Sequence, residues 1–304
     1  MTTDHRGGAP MPRPESPTVR RIMLGIRLRA LRTRAGVAAD DAARHIARTD
    51  STISRMETGQ SSVPARVLER LVELYGATPD ETAQLTELAK AARQRGWWQR
   101  YGEVLHPGFE LYLGLEAEAT EMHAYVSEWV PGLLQTAEYA HAVLSVEPRP
   151  PSDEEIQARV EARLARQAIL SGDDPLQYWV VLDEAVLRRA VGGPGVMADQ
   201  LRALASLARR RNIKLQVLPF SIGAHPGTCG SFTLLTLDLG DAAVSEYAYV
   251  ENRAGTLLMD KMPEVETHRL AFDSLRAQAL SPRDSIGMIE KIAADLGETE
   301  RLGA

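Results

Sequence analysis

The segment Gly36–Gly59, GVAADDAARHIARTDSTISRMETG, constrains the fold more than any other stretch, because two short helices and a tight turn must fit between its glycines. Helices this short cross closely only through a small residue, supplied by Ala43, and the second needs an apolar anchor, supplied by Ile53. The flanking sequence stays helical. Leu24, Leu28, Leu31 and Ala35 keep helical spacing up to Gly36, which predicts a first helix over Arg20–Ala35. The second is expected over Ala38–Ile46 and the third after Thr49. Pro64 opens a fourth, carrying Val67, Leu68, Leu71 and Leu74 to a stop at Gly76. Thr78-Pro79-Asp80-Glu81 has the form of a capping box and opens a fifth helix, predicted to reach Arg93.

Residues 1–18 hold Gly7, Gly8, Pro10, Pro12, Pro14 and Pro17 and almost no large apolar side chain, so they are expected to form a disordered arm. The helical domain is then 19–95. Gly96-Trp97-Trp98 breaks the rhythm and begins a connector over 96–109; its paired tryptophans suit either packing at the junction or stacking on bases, the former being the simpler role. Residues 110–304 read as a second domain. Helices are expected over Glu110–Glu128, Leu134–Val146, Asp153–Leu170, Val196–Arg211, Val265–Ala279 and Ser285–Leu296. Strands are expected over Gln177–Leu182, Lys214–Leu218, Ser231–Leu237, Val244–Val250 and Thr256–Met259. The fold class is therefore a mainly α five-helix domain followed by an α+β domain with a mixed or mostly antiparallel sheet.

Charge divides along the same boundary. The formal net charge is −6, yet residues 1–100 hold 17 of the 35 Lys+Arg and only 11 of the 41 Asp+Glu. A basic end on an acidic body suits a polyanionic partner at the N-terminal side. The single cysteine, Cys229, excludes a disulfide framework, and the seven scattered histidines give no ligand set at zinc spacing, so no metal or cofactor is expected. No apolar run is long enough to span a bilayer, which with the reduced cysteine points to a cytoplasmic protein without a membrane partner.

STISRMETG resembles the recognition helix and exit turn of Cro/CI-type (XRE-family) helix-turn-helix domains, and the five helices agree with that family in count and order. The resemblance implies a sequence-specific transcriptional regulator that binds double-stranded DNA as a homodimer. Position by position it assigns Asp50, Ser51, Ser54 and Arg55 to the major groove, Thr49 to the helix N-cap near phosphate, Thr52 to a flanking contact, and Gln60, with Ser61 and Ser62, to backbone phosphates. Arg55 is the residue suited to a bidentate contact with guanine, or else to pairing with a helix carboxylate. Two positions depart from the family. Ala39 and Ala47 stand where many relatives have a phosphate-binding glutamine and a turn glycine. Asp50 is also acidic at a groove-facing position, where it repels phosphate, accepts from cytosine or stabilises the helix N-terminus. Nine arginines (20, 21, 27, 29, 32, 34, 44, 48 and 55) supply attraction to phosphate.

The words YLGLEAEA, VPGLLQTAEYAHAVL, VLDEAVLRRAVGG, QVLPFSIGAHPGTCGSF and FDSLRAQALSPRDS resemble the C-terminal domain of WhiJ-like regulators, a large actinobacterial set. That resemblance carries over no biochemical activity and implies developmental or antibiotic-related regulation; the acidic module is expected to sense a protein or small molecule. The alternative the resemblance implies is an antitoxin-like protein that binds a small partner encoded nearby. An enzyme with an accessory DNA-binding domain is the remaining reading. It would rest on Cys229 and His225 as a nucleophile pair or on Asp183-Glu184 as an acid/base pair, but a cysteine buried before a strand and a capped helix explain these residues more simply. Arg159, Arg163 and Arg166 fall at helical spacing and read as a solvated face or an anion site, and Trp129–Leu134 as core or as a groove wall.

Overall fold

Ser16 accepts a hydrogen bond from the Val19 N–H at the start of helix α1, Pro17–Arg34. The computed structural model describes residues 16–94, 96, 101, 109–146, 151–238, 244–253 and 255–303. Helices α2 (Ala39–His45), α3 (Asp50–Glu57), α4 (Ala65–Leu74) and α5 (Pro79–Ala91) follow within a residue or two of expectation, α5 behind the capping box of Thr78 and Glu81. The first helix starts at Pro17 rather than Arg20, so the end of the expected arm is helical and Pro17 and Thr18 are buried. The rest of that arm, and the tryptophans Trp97 and Trp98, lie outside the described residues.

The second domain runs α6 (Phe109–Glu118), β1 (Glu121–Val126), α7 (Ala137–Leu144), α8 (Asp153–Arg166), β2 (Gln177–Asp183), α9 (Glu184–Arg188), α10 (Pro194–Leu207), β3 (Ile213–Leu218), β4 (Phe232–Asp238), β5 (Val244–Asn252), β6 (Gly255–Met259), α11 (Met262–Gln278) and α12 (Pro282–Gly303). The six strands form one mixed sheet in the order β3-β2-β1-β4-β5-β6. β1, β2 and β3 are parallel, with Met122 opposite Tyr178 and Val180 opposite Leu215, whereas β1/β4, β4/β5 and β5/β6 are antiparallel. The expected helix over Glu110–Glu128 is thus corrected: it ends at Glu118, and Glu121–Val126 is a central strand.

Side chains alternate across the sheet. Tyr178, Val180 and Leu182 of β2 join Met197, Leu201, Leu204 and Ile289, Ile292 beneath α10 and α12, while Val181 joins Phe232, Leu234, Phe272 and Leu275 beneath α11. A separate core holds the N-terminal helices together through Leu24, Leu28, Leu31, Ala43, Ile53, Leu68, Leu71 and Leu85.

Helix α1 belongs to both cores. Leu24, Leu28 and Leu31 pack among the helices, but Val19 and Ile22 pack with Tyr112, Leu113 and Leu115 of α6. The crossing is tight, since a Cβ on Gly114 would stand 2.3 Å from the Thr18 Cβ. The Ser16 N–H also donates to the Glu118 carboxylate. Deeper in the same layer, Arg166 holds Glu116 through two bonds of 2.7 and 2.6 Å beside Phe109 and Tyr112. Arg166 is therefore buried rather than part of a solvated face, and Arg163 donates to Gln135. A buried ion pair satisfied on both prongs resists loss of either partner more than it adds to net stability.

Candidate nucleic-acid interface

Recognition by α3 requires one face locked to the protein and the other left free. Ile53 and Met56 are buried, as their spacing predicts. Close backbone contact fixes the rest: a Cβ on Gly25 of α1 would stand 2.5 Å from the carbonyl oxygens of both Met56 and Glu57. The chain leaves α3 through Gly59, at φ 72°, whose missing Cβ makes room for Ile22. The Arg21 Nε–H donates to the Gly59 carbonyl at 2.6 Å, and the Ser61 N–H donates to the Arg55 carbonyl at 3.0 Å. Glu57 is buried and accepts two bonds from Arg32, whose Nη1 donates to the Val37 carbonyl at 2.9 Å. Hydrogen bonding to Glu57 raises the Arg32 pKa above its ordinary value, and burial, aided by Glu57, pushes the neighbouring Tyr75 phenol up to about 12. A single guanidinium thereby ties α1, the α1–α2 turn and the end of α3.

The opposite face is open. Thr49, Asp50, Ser51, Ser54, Arg55 and Gln60 are exposed and Thr52 is half-buried. The Arg55 guanidinium makes no ion pair or hydrogen bond among the described residues, so the carboxylate-paired role does not describe it. Thr49 occupies the N-cap position with extended backbone, but its hydroxyl meets Ser51 Oγ at 2.9 Å and Thr52 Oγ1 at 3.0 Å instead of capping the helix. Asp50 accepts from the Ser51 N–H at 2.7 Å, an interaction local to the helix N-terminus. Ser61 Oγ is buried, with no hydrogen-bond partner among the described residues, so it is not presented outward as Gln60 is.

The turn before α3 carries the departure at Ala47. Its φ is 54°, the left-handed region that glycine occupies without penalty. The nine arginines divide unequally. Arg32 and Arg34 are bound to Glu57 and Glu81, and Arg44 to Asp41, whereas Arg48 and Arg55 carry no such pair among the described residues. Two further exposed arginines, Arg66 and Arg70, without an ion pair among the described residues, stand four residues apart on α4. Counting arginines along α1 to α3 passes over them, although their spacing on a helix that follows the exit turn was readable.

Residues 23–85, which include α3 with Gly25, Arg32 and Glu57, match a family model described as a helix-turn-helix domain. Residues 109–291, more than half of the chain, match the family described as a domain of unknown function (DUF5753). The chain belongs to the DUF5753 family. No curated protein and no solved structure matches it. A helix-turn-helix domain joined to a DUF5753 domain points to a DNA-binding regulator, and among the described residues no helix is long and apolar enough to cross a membrane.

Within the DUF5753 domain, Asp183 caps α9 by accepting from the Ala185 N–H at 2.9 Å, and Glu184 accepts from the Phe220 N–H at 3.0 Å and pairs with Arg188. Both carboxylates thus have structural tasks. Cys229 is exposed, against the expectation of burial, because it ends a one-turn helix outside the sheet. Among the described residues no hydrogen bond joins its thiol to His225. The imidazole instead has Nε2 3.7 Å from Asp183 Oδ2 and its edge against the Tyr125 ring. In the Trp129–Leu134 turn Val130, Leu133 and Leu134 are core residues and Trp129 stays partly exposed.

Proposed function

We propose that this protein is a sequence-specific transcriptional regulator of the cytoplasm that binds duplex DNA as a homodimer through α3. One observation carries the reading: the inner face of α3 is locked by Gly25, Ile53 and Met56, while Ser51, Ser54 and Arg55 project outward with Arg55 unpaired. A rigidly seated helix with unsatisfied donors on its open face is what base reading in the major groove requires. Arg48, Arg66 and Arg70 add phosphate attraction, and Gln60 a further donor. The DUF5753 domain supplies the signal, transmitted through the helix that both cores share. The WhiJ-like resemblance is consistent with that division of labour. Nothing among the described residues singles out a small partner protein, so the antitoxin-like alternative rests on resemblance alone.

Genome-wide mapping of bound sites tests this directly. The expected result is a set of discrete sites with two half-sites about one helical turn apart, bound by the purified protein as a dimer. Diffuse occupancy with no shared sequence, or no binding to the recovered fragments, overturns it.

A further inference from the structure

A cleft of about 530 Å³ lies between the two domains. One wall is α1 with the end of α3, and the other is β5 with the turn from β6 into α11. Small-ligand sites fall at about 300–1,000 Å³. Ile22, Ile26 and Tyr247 give the cleft an apolar lining, and Met262 stands at its edge, 64% exposed. Four charged side chains also line it. Two are satisfied by the protein: Glu57 by Arg32, and Glu246 by Arg269. The other two, Arg29 on α1 and Asp260 on the opposite wall, have no ion pair or side-chain hydrogen bond among the described residues, either with each other or with a third group. Both are exposed. Burial, with the Asp260 charge adding to it, pushes the Tyr247 phenol up to about 12, so the field of Asp260 reaches into the cleft.

An apolar trough with an unpaired cation on one wall and an unpaired anion on the other complements a molecule with an apolar middle and opposite charges at its two ends. We propose that the cleft binds a short zwitterionic apolar peptide of two or three residues, with its ammonium at Asp260 and its carboxylate at Arg29. Those side chains lie beyond ion-pair distance of each other, which leaves room for a ligand placed between them. A peptide separates its terminal charges by its own length, whereas a free amino acid carries both on one carbon. The bound peptide would touch Thr58 at the end of α3 as well as β5. Its effect on operator affinity, which rests on the DNA-binding reading above, equals its differential affinity for the arrangements of the two walls.

Calorimetric titration of the full chain without DNA, using Leu-Leu, N-acetyl-Leu-Leu, Leu-Leu-amide and L-leucine as probes, tests the site. Leu-Leu is expected to bind best, and removal of either terminal charge should weaken binding about tenfold, the worth of one charge-assisted contact. Asp260→Asn should weaken Leu-Leu to the same degree and leave N-acetyl-Leu-Leu unchanged; Arg29→Gln should weaken Leu-Leu and leave Leu-Leu-amide unchanged. Absence of Leu-Leu binding, binding indifferent to both substitutions, or tighter binding of L-leucine than of Leu-Leu overturns the proposal. Failure of the DNA-binding reading would show separately, as lost fragment binding with Leu-Leu binding intact.

Discussion

Gly59 lies so close to Ile22 that a Cβ at position 59 would stand 2.6 Å from the Ile22 Cγ1. Ile22 is also part of the DUF5753 core, so the exit of α3 abuts a side chain anchored in the other domain. Gly59→Ala should cost about 3 kcal/mol, combining the left-handed penalty with overpacking. Gly36 offers the control: its φ is 67°, but nothing lies within 4 Å of an added Cβ, so Gly36→Ala should cost only about 1 kcal/mol. Urea denaturation of the two variants should separate them, and equal losses would show that the Ile22 contact yields freely.

Ala47 is the reverse case, an exposed alanine held at φ 54°. Ala47→Gly relieves about 1–2 kcal/mol of strain and loses about 0.4–1 kcal/mol to the freer unfolded chain. A net gain of about 1 kcal/mol is expected in the same denaturation assay. A lower urea midpoint would show that the turn is not strained.

Arg32 and Glu57 should behave as a unit. Arg32→Met leaves Glu57 buried and unpaired, and should cost about 3 kcal/mol. Glu57→Leu together with Arg32→Met should recover more than about 1 kcal/mol of that loss. Strict additivity in the double-mutant cycle would mean that the two side chains are independent despite their geometry.

The helical domain was legible because its signals are local: Gly36, Pro64, Gly76 and the Thr78–Glu81 box mark helix ends within a few residues of the groups they satisfy. β1 was not. Glu121–Val126, EMHAYV, follows α6 with helix-compatible residues and no glycine or proline to break the pattern. It becomes a strand because β2 and β4 pair with it on both sides, a tertiary cause without a local mark. Arg166 was misread for a similar reason, since Glu116 lies fifty residues away in sequence. Of the interface, the open and closed faces of α3 followed from periodicity. That Thr49 does not cap with its hydroxyl, and which arginines are already bound to carboxylates, depend on partners that periodicity does not report.

Arg55→Ala should lower affinity for the mapped sites by about 1–3 kcal/mol while leaving the urea midpoint unchanged. Arg66→Gln and Arg70→Gln should weaken all duplexes alike and each reduce the salt slope of binding by about one. Fluorescence anisotropy at several salt concentrations distinguishes the two classes. An Arg55 effect as uniform across sequences as those on α4 would assign it to phosphate instead of base.

Glu81 accepts from Arg34 through both oxygens and from the Thr78 N–H, and these bonds, led by Arg34, draw its pKa from the ordinary 4.5 to about 2. A lowered folded-state pKa contributes stability that is complete above 4.5 and disappears as pH falls through about 2. The α5 cap should therefore survive at pH 3.5, where free carboxyls are largely protonated. The Glu81 side-chain carboxyl carbon, followed by NMR, should titrate near 2, and in Arg34→Gln its midpoint should move back toward 4.5. A midpoint near 4.5 in the unaltered protein would mean that the bidentate pair does not persist in solution.

Because α1 contributes to both cores, the boundary at which this protein can be recombined does not fall between its domains. A chimera joined in the connector would bring a foreign first helix to the α6 surface, with whatever residues it carries where Val19, Ile22 and Thr18 now meet Leu113 and Gly114. The smaller piece from α2 through α3 is keyed to α1 as well, through Gly25 and the Arg32–Glu57 pair, so any exchange of it has to keep those partners. Under the proposed DNA-binding role, operator preference would be altered by substitutions on the exposed face of α3, whereas α1 is inherited with the domain it packs against.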